Sequence, residues 1–291
     1  MNYIRKLGIQ ALVFLLCTLA GITSLAGCSP VPETGNVSPS PLAVTSTLAP
    51  TPSPSPSATL PAPTPLPATA TPVMVTAACS PLQGISLDEL DAITSFKFNS
   101  PSAYSDAFHP AVDLAFFTYK DIPTMRGLPV QALLPGKVAL VISDRFPYGN
   151  MILVETPLDM VQIPLQQSLA LPTPIPQREM DLFSTCDRDH PLISWSTDSK
   201  SLYTLYAHLK DSPALSVGEM VSCGQVIGSV GISGNSVADH LHLEVRLGPA
   251  EARFTTFAAL RPEASREEKY YYCIWNASGY FQAIDPSLFW K

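Results

Sequence analysis

The chain has 291 residues, with 17 Lys and Arg against 24 Asp and Glu, and a formal net charge of −7. That length accommodates one large domain or two small ones. An acidic chain without a basic cluster excludes nucleic acid as an expected partner, because phosphate binding requires a positive stripe or patch.

Residues 1–27 read as an export signal. Arg5 and Lys6 give a basic start, Ile9 to Leu19 an uncharged apolar run, and Leu25-Ala26-Gly27-Cys28 follows. An ordinary signal peptide ends in an A-x-A-like site; this ending instead resembles the lipobox of bacterial lipoproteins. The resemblance implies that the Cys28 thiol receives a diacylglycerol and that Cys28 becomes the new N-terminus. The chain is then exported and lipid-anchored to the bacterial cell membrane, facing the envelope or extracellular side. Two acyl chains hold stably where one binds only marginally. An uncleaved membrane anchor is the rival reading, since the apolar run approaches the ~20 residues of a span. Both readings put the remainder outside the cytoplasm. Without Arg5 and Lys6, 15 basic residues face 24 acidic ones, a charge of −9.

Residues 28–75 hold the lipidated cysteine and a Pro/Ser/Thr-rich tether, with thirteen prolines between 29 and 72. Such a segment neither buries apolar surface nor supports regular ladders. As polyproline II it reaches roughly 140 Å at about 3.1 Å per residue.

Residues 76–291 have globular composition and are expected to form one domain. Ser86 to Ile93 is a short helix, with Leu87, Leu90 and Ile93 at helical spacing. Pro129 to Ile142 reads as two strands broken at Pro135-Gly136, and Met151 to Glu155 as a short strand after a Tyr148-Gly149-Asn150 turn. Leu202–Leu209, Val226–Val230 and His240–Leu247 complete a mainly β pattern of short strands with Gly/Pro turns. Between about 157 and 200 periodicity is lost, which predicts a long loop insertion between two strands.

Cys79, Cys186, Cys223 and Cys273 remain once Cys17 and Cys28 are accounted for. An even number in an oxidising compartment predicts two disulfides, with three pairings open. Free buried cysteines are the rival reading, whereas a cysteine metal site lacks C-x-x-C spacing.

Of five histidines, His240 and His242 sit in His240-Leu241-His242-Leu243-Glu244. In a strand i and i+2 share a face, so the two imidazoles project together. His109 and Asp113 are four apart across Pro110, and His208 ends Tyr206-Ala207-His208-Leu209. His190 falls in the insertion and reads as a surface histidine.

Taken together these strings resemble the lysostaphin-like, or LytM-type, zinc endopeptidases. Gly127-Leu128-Pro129-Val130, Pro135-Gly136-Lys137-Val138, Tyr148-Gly149-Asn150, Val217-Gly218, Gly224-Gln225-Val226-Ile227-Gly228 and Gly234-Asn235-Ser236 add to the likeness, which runs over about 104–248. The resemblance implies a compact, mainly antiparallel β-sheet domain with an open metal groove. It implies Zn²⁺ held by His109, Asp113 and His242, with His208 and His240 as catalytic histidines, and peptidoglycan peptides as substrate. Three protein ligands leave a fourth position for water. A proton-shuttling histidine and an oxyanion-stabilising one complete the chemistry, and their order stays open. Ala238 and Asp239 stand where the family usually has Gly and Pro before the H-x-H string. The rival readings are a non-catalytic or regulatory module on the same fold, which activates another wall hydrolase or scaffolds an envelope complex, and a zinc peptidase acting on secreted proteins.

Overall fold

The computed structural model describes residues 74–101, 108–169, 171, 186, 195, 198–258 and 262–291. The expected signal, the lipidation site Cys28, the tether and His190 lie outside the described residues.

The domain is built on one large antiparallel sheet. Its strands are β1 (Thr94–Phe96), β2 (Ala111–Leu114), β4 (Gly136–Arg145), β5 (Gly149–Pro157), β6 (Lys200–Leu209), β7 (Met220–Val221), β9 (Leu241–Pro249) and β10 (Gln282–Ile284). They run in the order β1-β2-β9-β6-β5-β4-β7. A separate pair joins β3 (Pro129–Gln131) to β8 (Val226–Ser229). This is the mainly β, antiparallel architecture expected from the alternating segments.

Strand β9 is central. One edge pairs with β6, and the other is shared end to end by β2, against Leu241–Glu244, and β10, against Val245–Leu247. Every residue of β9 is therefore buried. Leu241, Leu243, Val245 and Leu247 point into a core with Leu202, Tyr206, Val112 and Leu114. Each such side chain contributes about 1.5–3 kcal/mol through burial. The alternate residues His242, Glu244 and Arg246 face the opposite side, as period 2 requires. That side carries a second core of Leu205, Ala207, Phe254, Phe257, Tyr270, Ile274 and Trp275.

The sequence reading did not anticipate what covers this second face. It is a helix, Arg266–Ala277, started by Ser265 as N-cap. The Ser265 hydroxyl accepts from the Glu268 N–H, and the Glu268 carboxylate accepts from the Ser265 N–H, a reciprocal capping box. Tyr270, Ile274 and Trp275 are its buried residues apart from Glu268.

Two disulfides staple the fold, Cys79–Cys223 and Cys186–Cys273. The first ties the N-terminal segment to the turn before β8, and the second ties Cys186 to the capping helix. Strand β5 ends at Pro157 and β6 begins at Lys200; between them lie a 3-10 turn, Leu158–Met160, and a short helix, Ile163–Ser168. The expected helix at Ser86 to Ile93 is a 3-10 helix over Leu87–Ile93. No helix among the described residues is long and apolar enough to cross a membrane.

Candidate metal and catalytic site

Register assembles the site. Asp113 of β2 and Ala207 of β6 both pair with His242 of β9, so one rung crosses three strands. Asp113 and His242 thereby share a face, and His208 follows at the end of β6. His109 enters from the segment before β2, and His240 immediately precedes β9.

The side chains converge on Asp113. Its Oδ1 lies 2.9 Å from His242 Nδ1, 3.3 Å from His109 Nε2 and 3.7 Å from His240 Nε2. His109 Nε2 and His242 Nδ1 are 3.3 Å apart. His242 also meets Glu244, with Nε2 3.1 Å from Oε1. Both carboxylates only accept, so the metal-free ring donates from both nitrogens, and a cation at Nδ1 would leave the proton on Nε2. Nδ1 then presents its lone pair to that cation. Two imidazole nitrogens and one carboxylate oxygen aimed at one another can be bridged by ring protons or by a cation. This donor set fits Zn²⁺, which takes N and O ligands with tetrahedral geometry. His109, Asp113 and His242 offer atoms within 4.8 Å of one another.

His208, His240 and His242 form a second cluster within the same limit. It lacks a negative charge, and its ring centroids, 4.6 Å between His208 and His240 and 5.5 Å between His208 and His242, bracket the 5.0 Å between His109 and His242. The Asp113 set, which includes a carboxylate, is the better cation site on charge.

His208 and His240 are oriented by backbone carbonyls. His208 Nδ1 lies 2.7 Å from Ser233 O, and His240 Nδ1 lies 2.9 Å from Ala238 O. A carbonyl oxygen cannot donate, so Nδ1 carries the proton in each ring and the neutral imidazole keeps its lone pair at Nε2. His208 has φ of 60°, in the left-handed region. Such strain is uncommon outside glycine and gathers at functional positions. Its backbone N–H bonds Tyr148 O at 2.9 Å.

The Ser233 carbonyl is itself held by a close backbone contact. Gly149 and Gly234 have φ of 70° and 72°, and a Cβ on either would overlap backbone of the opposite loop. The Ser233 hydroxyl accepts from the Asn150 N–H at 2.9 Å and donates to Leu209 O at 2.7 Å. The Tyr148-Gly149-Asn150 turn thus serves as a brace for the histidine loop.

Charge reinforces the geometry. Burial opposes ionisation of Asp113, yet hydrogen bonds from His109 and His242 hold its carboxyl well below the usual range. Burial pushes His208 down, and neighbouring His242 and His240 push it further, to about 3. With no metal present, burial would lower His242, but Asp113 and Glu244 on either side of the ring raise it to about 9.

Glu244, the last residue of the His240–Glu244 string, has a role that the motif alone does not reveal. It is fully buried and saturated. Oε1 accepts from Tyr148 OH at 2.7 Å and His242 Nε2; Oε2 accepts from Arg246 Nε at 2.9 Å and Trp275 Nε1 at 3.1 Å. Burial would raise its pKa, but Arg246 and His242 bring it to about 2. The alternation of His242, Glu244 and Arg246 on one strand face was the signal that could have found this row. The structure thus brings together all five predicted site residues, His109, Asp113, His208, His240 and His242.

Residues 192–253 match the sequence model of Peptidase family M23. That segment contains His208, His240 and His242, and stops short of His109 and Asp113. Among solved structures, the catalytic domain of the prophage-encoded M23 protein EnpA from Enterococcus faecalis is similar at 21% identity, covering 55% of this chain and 83% of that one, with a TM-score of 0.32. The catalytic domain of the antimicrobial peptidase lysostaphin from Staphylococcus simulans is similar at 20% identity, covering 56% and 86%, with a TM-score of 0.34. A zinc containing peptidase from Vibrio cholerae is similar at 20% identity, covering 52% and 32%, with a TM-score of 0.30.

Proposed function

We propose, from the M23 peptidase segment that this chain carries over residues 192–253, that it is a zinc-dependent endopeptidase hydrolysing peptide bonds in bacterial peptidoglycan. The single observation that carries this reading is the convergence of His109 Nε2, His242 Nδ1 and Asp113 Oδ1, with two further imidazoles beside them.

His109, Asp113 and His242 would hold the metal, and Glu244 would fix the ring of His242. Zinc, when bound there, supplies Lewis acidity and activates water near neutral pH. His208 and His240 each carry their proton on Nδ1 and keep Nε2 free for chemistry. One takes a proton from the attacking water and returns it to the leaving amine. The other, when protonated on Nε2 as well, steadies the negative charge that develops on the scissile carbonyl oxygen.

In this proposal Cys28 is the lipid attachment point at the cell membrane, residues 28–75 are the tether, and 76–291 form the peptidase domain. All five predicted site residues are present and adjacent, which favours an enzyme over a regulatory module.

The test is zinc content and wall digestion by the full chain. About one zinc per chain and new amino groups released from purified peptidoglycan are expected. Bound zinc with no cleavage of several wall chemistries would move the reading to the regulatory module. A folded chain that takes up no zinc would falsify the site.

A further inference from the structure

The capping helix Arg266–Ala277 reaches the Glu244 carboxylate beside the candidate metal site through a direct hydrogen bond from Trp275. Trp275 is fully buried, and its indole N–H donates to Glu244 Oε2 at 3.1 Å. Its carbonyl accepts from Arg246 Nη1 at 2.9 Å. The Arg246 guanidinium carbon lies 4.8 Å from the centre of the indole ring. Trp275 therefore meets both members of the buried Glu244–Arg246 pair. The next residue, Asn276, accepts from Arg246 Nη2 at 3.0 Å. The helix is fastened two residues before Trp275 by the Cys186–Cys273 disulfide.

Resting on the zinc reading above, we infer that Trp275 is a positioning residue for the metal site. It acts through Glu244, which holds the His242 ring. Glu244 has four donors for its two oxygens, and each fixes where the carboxylate sits. Tyr148 and Trp275 approach opposite oxygens and set its rotation, while Arg246 neutralises its charge. Removing the indole N–H frees Oε2 to turn toward Arg246 alone and moves Oε1 away from His242 Nε2. The partner that fixes the tautomer and direction of a ligating imidazole is then displaced. Loss of such partners commonly weakens metal binding 10–100-fold. The helix is thereby more than a lid on the second core: it supplies one of the contacts that aim His242.

The experiment compares the full chain with Trp275→Phe and Phe257→Leu. Phe257 packs on Trp275 with ring centres 5.4 Å apart and has no polar atom to offer Glu244. Zinc affinity is measured by chelator competition, and the cobalt-loaded absorption spectrum is recorded. The expected result is about tenfold weaker zinc binding and a shifted cobalt spectrum in Trp275→Phe, with neither in Phe257→Leu. Unchanged affinity and spectrum in Trp275→Phe overturns the inference. Equal weakening in both variants also overturns it, because packing alone would then explain the effect.

A wild-type measurement stands in should Trp275→Phe not fold. With nitrogen-labelled tryptophan, the Trp275 indole N–H resonance is expected to move on zinc addition. That of Trp290, which donates to Asp91 at 3.1 Å, is expected to stay. A Trp275 resonance indifferent to zinc overturns the inference while the zinc site stands. A wild-type chain that binds no zinc overturns both readings together.

Discussion

His208 donates from Nδ1 to the carbonyl oxygen of Ser233, 2.7 Å away, and that oxygen is held in place by the close approach of two glycines. The bond fixes which nitrogen of His208 is free. It also ties a side chain at the end of β6 to a loop more than twenty residues further along the chain. His240 is set the same way by Ala238 O. Neither ring needs its neighbour in order to stand correctly, so the two histidines can be removed one at a time.

His208→Ala and His240→Ala are therefore expected to keep their zinc and lose cleavage. A general acid–base group is worth about 10²–10⁴-fold, and a drop in that range in amino-group release is the anticipated result. Metal content of the same preparations decides whether the loss is chemical. If zinc falls in step with activity, these histidines belong to the ligand set and the assignment is wrong.

Asp113→Ala and His242→Ala should behave oppositely. Each removes a donor from the convergent set, and His242→Ala also leaves the Glu244 carboxylate without one of its four donors. Removing one partner from a buried charged pair commonly costs 3–5 kcal/mol. His242→Ala is thus expected to lose both zinc and thermal stability, whereas Asp113→Ala loses zinc chiefly. Parallel unfolding scans with and without added zinc separate the two effects. Retention of stoichiometric zinc by either variant would contradict the proposed ligands.

Gly149→Ala and Gly234→Ala test the brace behind His208. Both positions have positive φ and lie against backbone, so an added methyl meets atoms that cannot rotate away. A cost above the ~1 kcal/mol of an incompatible Gly→Ala change is expected in denaturant unfolding. Cleavage should fall further than stability does, because the displaced atoms carry Ser233 O. The alanine at Gly84 is the contrast. Gly84 has φ of 79° but open space around the added methyl, so it should show the backbone strain alone.

The strand framework was legible because its chemistry is local. Alternation in Leu202–Leu209 and His240–Leu247 gives period 2, and Pro135-Gly136 marks the break before β4. The five site residues were legible through motif spacing and the likeness it carries. The helix Arg266–Ala277 was not. Tyr270-Tyr271-Tyr272 reads as an aromatic run for core packing, and only the contacts of Tyr270, Ile274 and Trp275 with the second core reveal the helical face. Its one local signal was Ser265 followed three residues later by Glu268, a capping box ahead of the aromatic run. The donors around Glu244 were equally hidden. Arg246 shares a strand face with Glu244 at i+2, but Tyr148 and Trp275 meet it only through tertiary packing, and no spacing announces them. Disulfide pairing is likewise a property of the folded chain, since four cysteines leave three options.

Reduction of the disulfides should destabilise the domain strongly. Cys79–Cys223 and Cys186–Cys273 are separated by 144 and 87 residues in sequence. Long closed loops constrain the unfolded chain most, with a chain-entropy limit of about 4–5 kcal/mol each and typical observed values nearer 2–4 kcal/mol. Cys273→Ser is expected to lower the melting temperature and expose the helix Arg266–Ala277 to hydrogen exchange. Cys79→Ser should leave that helix protected while loosening the segment before β1. Identical exchange patterns in the two variants would show that the staples do not act locally.

The metal-free chain should be most stable near the ordinary histidine pKa, and zinc should remove one side of that dependence. His242 is raised to about 9 against the ordinary histidine value of 6.5, so between these values the folded state binds a proton that the unfolded state does not. Its stabilisation is complete below pH 6.5 and is lost as the pH rises through about 9. Glu244 is lowered to about 2 against 4.5, so its contribution is complete above pH 4.5 and is lost as the pH falls toward 2. His208, lowered to about 3, adds to the acid loss, because the unfolded state gains a proton below pH 6.5 that the folded state refuses. Chelator-treated protein should therefore melt at lower temperature at pH 9 than at pH 6.5, and lower again toward pH 3. A zinc-occupied His242 cannot hold the second proton, so the zinc-loaded chain should lose the decline between pH 6.5 and 9 while keeping the acid one. Melting temperatures across this range, with and without zinc, check the point. An alkaline decline that survives zinc loading would mean that His242 is not where the metal binds.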